Sequence, residues 1–297
     1  MAKTYTGIYI ALVTPFDGDE VSAEKFRDNI LKYNETGLAG YVVLGSTGEC
    51  VSLSDDESAL LVRTARQAAA KSKKVIAGTA RESTRLTVEF TNRIADLGVD
   101  AALVRPPSYF KSKMTTEALK RHYLAVADHS RVPIIVYNIP QNTGLTLDGS
   151  LIVELSQHPN ITGLKESGGN LVLLGEIIRR LPGDFSYLSG HPSVFLPALL
   201  MGASGAILAV ANAVPDICAK IYDLFGRGRI AEAAALQLDL VPLIKSVMDT
   251  YGIPGLKYAL DVLGWHGGPV RSPLLPLEDK GKTEITARLK DLGLVKK

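Results

Sequence analysis

Two stretches decide the reading of this chain: Ile134-Ile135-Val136-Tyr137-Asn138-Ile139-Pro140 and Ile161-Thr162-Gly163-Leu164-Lys165-Glu166. Each is a short apolar run bounded by turn residues, the pattern of a strand buried on both faces. Each closes on a polar residue with chemistry to offer, Tyr137 in the first and Lys165 in the second. They lie 28 residues apart, the length of one strand–helix unit, so the fold class follows from how often that unit recurs.

Outward from this pair, six more apolar runs are spaced by about 20 to 35 residues. They are Ile8–Val13, Tyr41–Leu44, Val75–Ala77, Ala101–Val104, Phe185–Leu188 and Ala206–Val210. Helical periodicity fills the gaps. Phe26, Ile30 and Tyr33 share a face that ends at Gly37. Leu60, Leu61, Thr64, Ala65 and Ala68 share another, opened by the capping-box pattern Ser54-Asp55-Asp56-Glu57. Val88, Ile94, Ala95 and Leu97 precede Gly98, and Leu119, Tyr123 and Val126 precede Pro133. Eight alternations predict an α/β fold, a (β/α)8 barrel over residues 1–225. The chain then turns helical over 230–250, 256–263 and 282–292, which predicts a C-terminal helical extension over 226–297. No G-x-G-x-x-G follows the first strand, against a dinucleotide-binding open sheet.

Composition narrows the function classes. The chain has 297 residues, 46% of them apolar, enough for one large core. Basic and acidic residues number 33 and 31, a net charge of +2 without a basic cluster, so neither nucleic acid nor a membrane surface is an expected partner. No apolar run reaches the length of a signal-peptide core or a membrane span. Cys50 and Cys218 show no C-x-x-C spacing and the five histidines no H-E-x-x-H, so neither a disulfide frame nor a zinc site is expected, and a reducing cytoplasm is.

In such a barrel, functional side chains stand at the C-terminal ends of strands. Those ends carry Gly45-Ser46-Thr47-Gly48-Glu49, Arg105-Pro106-Pro107-Ser108-Tyr109, Tyr137-Asn138 and Lys165-Glu166-Ser167. A lysine that closes a buried strand loses water, which favours its neutral, nucleophilic form. With a phenol beside it to move protons, it can form an imine with a carbonyl substrate. Ser46 and Tyr109 are candidates to extend the proton relay. The Gly45–Gly48 turn can offer N–H groups and two hydroxyls to a carboxylate. Each residue also has a plain reading. A strand-end lysine is commonly ion-paired, Tyr137 a core tyrosine, Arg105 half of a salt bridge, and His191 a helix-start residue. Their joint placement at one rim is what sets them apart from these plain readings.

These motifs resemble those of the dihydrodipicolinate synthase / N-acetylneuraminate lyase family of lysine-dependent class I aldolases. Thr14-Pro15-Phe16, Gly45–Glu49, Pro106-Pro107-Ser108-Tyr109-Phe110, Tyr137–Pro140, Gly163–Glu166 and Gly252-Ile253-Pro254-Gly255-Leu256-Lys257 carry the likeness over nearly the whole chain. The resemblance implies a cytoplasmic homotetramer, a dimer of dimers, acting on pyruvate and a small aldehyde or 2-oxo acid without a metal or separate cofactor. It implies Lys165 as the imine-forming lysine and Tyr137 as the proton-transfer tyrosine. Ser46 would be the relay hydroxyl, and Tyr109 the relay tyrosine that reaches a neighbouring subunit's site. Ser46 and Thr47 would hold the pyruvyl carboxylate, with Gly190 and Ile207 lining the pyruvate pocket and Ser167 touching substrate. Asn142 stands where synthases typically have an arginine for the aldehyde substrate's carboxylate, and an amide does not replace a bidentate cation. Leu155–Asn160, Asn142–Leu145 and Gly267-Gly268-Pro269 with Arg271 resemble 4-hydroxy-2-oxoglutarate aldolases most closely. Cleavage of 4-hydroxy-2-oxoglutarate to pyruvate and glyoxylate is therefore the first expectation. Condensation of pyruvate with aspartate semialdehyde, a sugar-acid aldolase or dehydratase, and a non-catalytic pyruvate-binding barrel are the alternatives.

Overall fold

A computed structural model describes residues 3–295. Eight parallel strands form a closed barrel. They are β1 (Gly7–Ala11), β2 (Gly40–Val43), β3 (Lys74–Gly78), β4 (Ala101–Val104), β5 (Ile134–Asn138), β6 (Ile161–Glu166), β7 (Ser186–Ser189) and β8 (Gly205–Leu208). Every expected strand is present. The ends differ in one respect that matters: β5 runs on to Asn138 and β6 to Glu166, each one residue past the Tyr137 and Lys165 that close the apolar runs in sequence. The backbone continues because its N–H and C=O groups still have neighbouring strands to pair with.

By packing, the chain divides into two compact units. One comprises Met1–Gly7 and Lys74–Ile207, and holds β3 to β7 with the helices between them. The second comprises Ile8–Lys73 and Leu208–Lys297, and holds β2, most of β1 and the C-terminal helices.

Local chemistry explains the helices. Helix Ala23–Tyr33 buries Phe26, Asn29, Ile30 and Tyr33. Helix Asp55–Ala68 opens on a complete capping box, the Ser54 hydroxyl accepting from the Glu57 N–H while the Glu57 carboxylate accepts from the Ser54 N–H at 2.8 Å. Its buried face is Ser58, Ala59, Leu61, Val62 and Ala65, rotated from the predicted one, and Leu60 is exposed. Small residues let that helix lie close, which hydrophobicity counting does not register. In the C-terminal part, the helical segment expected over 230–250 is helix Ile230–Ile244 continued by a π-helical stretch, Lys245–Thr250. Helices Gly252–Val262 and Asp279–Asp291 follow. Among the described residues no helix is long and apolar enough to cross a membrane.

Candidate active site

Lys165 and Tyr137 are register partners on the adjacent strands β6 and β5. Residues paired in parallel register point to the same side of the sheet. Accordingly Lys165 Nζ lies 4.2 Å from the centroid of the Tyr137 ring. Both side chains are buried, Lys165 only 4% exposed. An amine thus meets the face of a phenol away from bulk water, a cation–π contact when the amine is charged.

The next residue builds the rim around them. Glu166 is buried, and its carboxylate accepts N–H groups from Gly168 at 2.7 Å and Asn170 at 3.2 Å, and the Asn138 amide at 3.3 Å. Burial pushes its pKa up, with these donors opposing. The carboxylate folds the loop after β6 back on itself. Ser167 N–H then donates to Asn138 O at 2.9 Å, and Gly190 N–H to Glu166 O at 2.6 Å. Gly190 leaves room for Ser167: a Cβ there would lie 2.0 Å from Ser167 Oγ and would have to displace that side chain. Ser167 and Gly190 are therefore placed together beside Lys165, and Ile207 is buried on β8. His191 accepts the Ser193 N–H on Nδ1 at 3.3 Å, the helix-start arrangement.

After β4, Arg105 donates to Glu82 at 2.8 Å, and the other Glu82 oxygen accepts the Ser108 and Tyr109 N–H groups at 2.7 and 2.9 Å. Burial alone pushes Glu82 up, but these N–H groups and Arg105 outweigh it and hold the carboxyl below its ordinary range. Arg105 is thus part of an ion pair that shapes the Tyr109 loop. Tyr109 itself is 81% exposed, edge-on to Phe110, and the structure does not bring it to Lys165 on this chain. Asn142 is exposed on the single turn Pro140–Thr143. A cation does lie near this turn: Lys111 Nζ is 2.9 Å from where a Cβ on Gly144 would sit.

In the other unit, Ser46 and Thr47 are half-buried in the turn Ser46–Gly48 that follows β2. Leu44 and Glu49 flank it with φ of +60° and +55°, conformations that cost a side-chain-bearing residue about 1–3 kcal/mol each. The Thr14 hydroxyl donates to Gly48 O at 2.7 Å. Sequence reasoning quoted Glu49 and Lys257 within motifs and gave neither a partner. The structure pairs them at 2.6 Å. The carboxylate braces Glu82 and Glu166 were likewise not legible, since no local sequence signal marks them.

Comparison with known proteins identifies the family. The family model described as the dihydrodipicolinate synthetase family matches residues 4–292. A 4-hydroxy-tetrahydrodipicolinate synthase of Halalkalibacterium halodurans is 36% identical over 279 residues, covering 94% of each chain. One from Methanoculleus marisnigri is 36% identical over 285 residues, covering 94% of this chain and 96% of its own. Among solved structures, a dihydrodipicolinate synthase from Cyanidioschyzon merolae with lysine bound superposes with TM-score 0.94 at 29% identity, covering 99% of this chain and all of its own. A chloride-inhibited dihydrodipicolinate synthase from Acinetobacter baumannii complexed with pyruvate gives TM-score 0.94 at 31% identity, covering 98% and 100%. The chain belongs to the dihydrodipicolinate synthetase family and is an enzyme of its lysine Schiff-base lyase class.

Proposed function

We propose that Lys165 forms an imine with pyruvate and that the resulting enamine condenses with aspartate semialdehyde. The observation that carries the imine is the in-register placement of buried Lys165 against the Tyr137 ring, Nζ 4.2 Å from its centroid. The Lys165 amine adds to the ketone carbon, and the carbinolamine loses its oxygen as water. The iminium then acidifies the neighbouring methyl group, which gives up a proton to become the enamine carbon. That carbon attacks the aldehyde, a C–C bond forms, and the new alkoxide takes a proton. Tyr137 shuttles these protons, with Ser46 as the next hydroxyl in the relay. Ser46 and Thr47 hold the pyruvyl carboxylate. The iminium is the electron sink, so the scheme uses no separate cofactor.

The acceptor is chosen from the relatives, which are named as 4-hydroxy-tetrahydrodipicolinate synthases. Their names reverse the order expected from sequence, which put 4-hydroxy-2-oxoglutarate cleavage first. One observation keeps that second reading in view: residue 142 is an exposed amide, not a cation. In that reading Tyr137 takes the proton of the C4 hydroxyl as the C3–C4 bond breaks.

Borohydride with pyruvate should leave a stable mass adduct on Lys165; an unmodified lysine sinks the imine. Turnover of pyruvate with aspartate semialdehyde, set against pyruvate release from 4-hydroxy-2-oxoglutarate, decides the acceptor. We infer further that the working form is a homotetramer in which the exposed Tyr109 completes a neighbour's relay. A monomer of full activity by light scattering would refute it.

A further inference from the structure

Glu49 and Lys257 take no part in the chemistry proposed above, yet they form a fully buried ion pair. Lys257 Nζ meets Glu49 Oε1 at 2.6 Å, each side chain 1% exposed. The ammonium also donates to Pro269 O at 2.5 Å and lies 4.4 Å from the centroid of the Phe16 ring. The second Glu49 oxygen accepts the Arg271 N–H at 2.9 Å. Arg271 in turn donates to Ser52 O at 2.8 Å and to the Glu57 carboxylate at 2.7 Å. The carboxylate of Glu49 is therefore held from both sides by the C-terminal part of the chain.

Stability does not explain this arrangement. Two charges taken out of water are costly, and an apolar pair of the same volume commonly folds as well or better. A charged pair supplies direction and distance instead. Here the object directed is the Ser46–Gly48 turn. Glu49 closes that turn in a left-handed conformation, φ +55° and ψ 34°, its N–H donating to Ser46 O at 3.0 Å. Leu44 enters it at φ +60°. On its Leu12–Thr14 side the turn is already tied, Gly48 O accepting the Thr14 hydroxyl at 2.7 Å. What remains is for its exit to be pinned, and the Glu49 side chain is the group that does so.

We propose that Glu49 and Lys257 are positioning residues: the buried pair, anchored on helix Gly252–Val262, holds the Ser46–Gly48 turn in the shape that receives the pyruvyl carboxylate. This rests on the reading that Ser46 and Thr47 bind that carboxylate.

The test uses the full-length double variant Glu49→Gln with Lys257→Met, which removes both charges and leaves neither unpaired, and Lys257→Arg, which keeps the pair charged. The double variant should melt within about 5 °C of the parent. It should need about tenfold more pyruvate for half-maximal borohydride trapping, with kcat at saturating pyruvate within about threefold. Amide exchange over 46–50 should speed up at least about tenfold, and exchange in β6 should not. Lys257→Arg should recover part of the pyruvate dependence. A double variant with parental pyruvate dependence and parental exchange overturns the proposal. So does a loss that tracks a general fall in melting temperature with the pyruvate requirement unmoved. A parent protein that traps no pyruvate overturns the proposed function instead, and exchange over 46–50 then decides by itself whether the pair holds the turn.

Discussion

Tyr137 and Lys165 are ladder partners, and the ring of one covers the amine of the other at 4.2 Å. A phenol placed there by strand register, not by a loop, is pre-positioned for the proton transfers of the proposed imine cycle. Tyr137→Phe keeps the ring and removes the hydroxyl. It should lower kcat about 10²–10³-fold, the usual worth of a positioned acid–base group, while pyruvate still traps slowly on Lys165. Lys165→Ala should trap nothing. Parental kcat in Tyr137→Phe by a stopped assay would remove Tyr137 from the relay.

Gly190→Ala tests how the rim is packed. Its new methyl would lie 2.0 Å from Ser167 Oγ and 3.1 Å from Glu166 O. Overpacking of this kind costs about 1–3 kcal/mol, and Ser167 must leave its rotamer. The expected result is a lower melting temperature and a raised KM for pyruvate. Adding Ser167→Ala removes the closest atom and should recover part of the melting temperature. A double variant as unstable as Gly190→Ala alone would show that the hydroxyl is not the obstacle.

The strands were legible because each is buried on both faces and reads as an uninterrupted apolar run, and counting them gave the barrel. Lys165 and Tyr137 were legible for the same reason, as polar residues closing such runs one unit apart. The Glu49–Lys257 pair was not, because its members are 208 residues apart and ion pairing leaves no periodicity. Nor was the role of Glu166. Beside a lysine it reads as an ordinary charge, whereas its carboxylate is spent on the N–H groups of Gly168 and Asn170. The buried face of helix Asp55–Ala68 was misplaced because Ser58 and Ala59 pack where large residues were sought.

His122 gives a pH dependence with a definite sign. The ring is buried, its Nδ1 bonded to the Thr84 hydroxyl at 2.9 Å and its Nε2 without a hydrogen-bond partner among the described residues. Burial pulls its pKa down from 6.5 to about 4. The unfolded chain therefore takes up a proton near pH 6.5 that the folded chain refuses until about pH 4. Stability is unaffected by this group above pH 6.5 and falls as pH drops through that window, by about 2 kcal/mol between pH 7 and 5. In His122→Leu that share of the loss should vanish. Urea midpoints at the two pH values measure it, and an equal fall in parent and variant would mean that other groups carry the effect.

Asn142 tests the acceptor. It is exposed on the turn Pro140–Thr143, with its N–H bonded to Ile139 O at 3.2 Å, so a longer side chain can be accommodated without disturbing the backbone. In the proposed condensation aspartate semialdehyde brings a carboxylate, which an amide at this position would meet with a single donor group and a guanidinium with two parallel bonds. Asn142→Arg should therefore lower KM for aspartate semialdehyde about threefold, a gain of about 0.6 kcal/mol, the scale of an exposed ion pair, and leave KM for pyruvate unchanged. Cleavage of 4-hydroxy-2-oxoglutarate should not gain by as much, because its distal carboxylate sits on the carbon whose bond is broken, not at the far end of an amino acid chain. The comparison is read as the ratio of kcat/KM for the two reactions in parent and variant. An unchanged KM for aspartate semialdehyde would mean that its carboxylate is held elsewhere, and Lys111, beside Gly144, is then the side chain to replace.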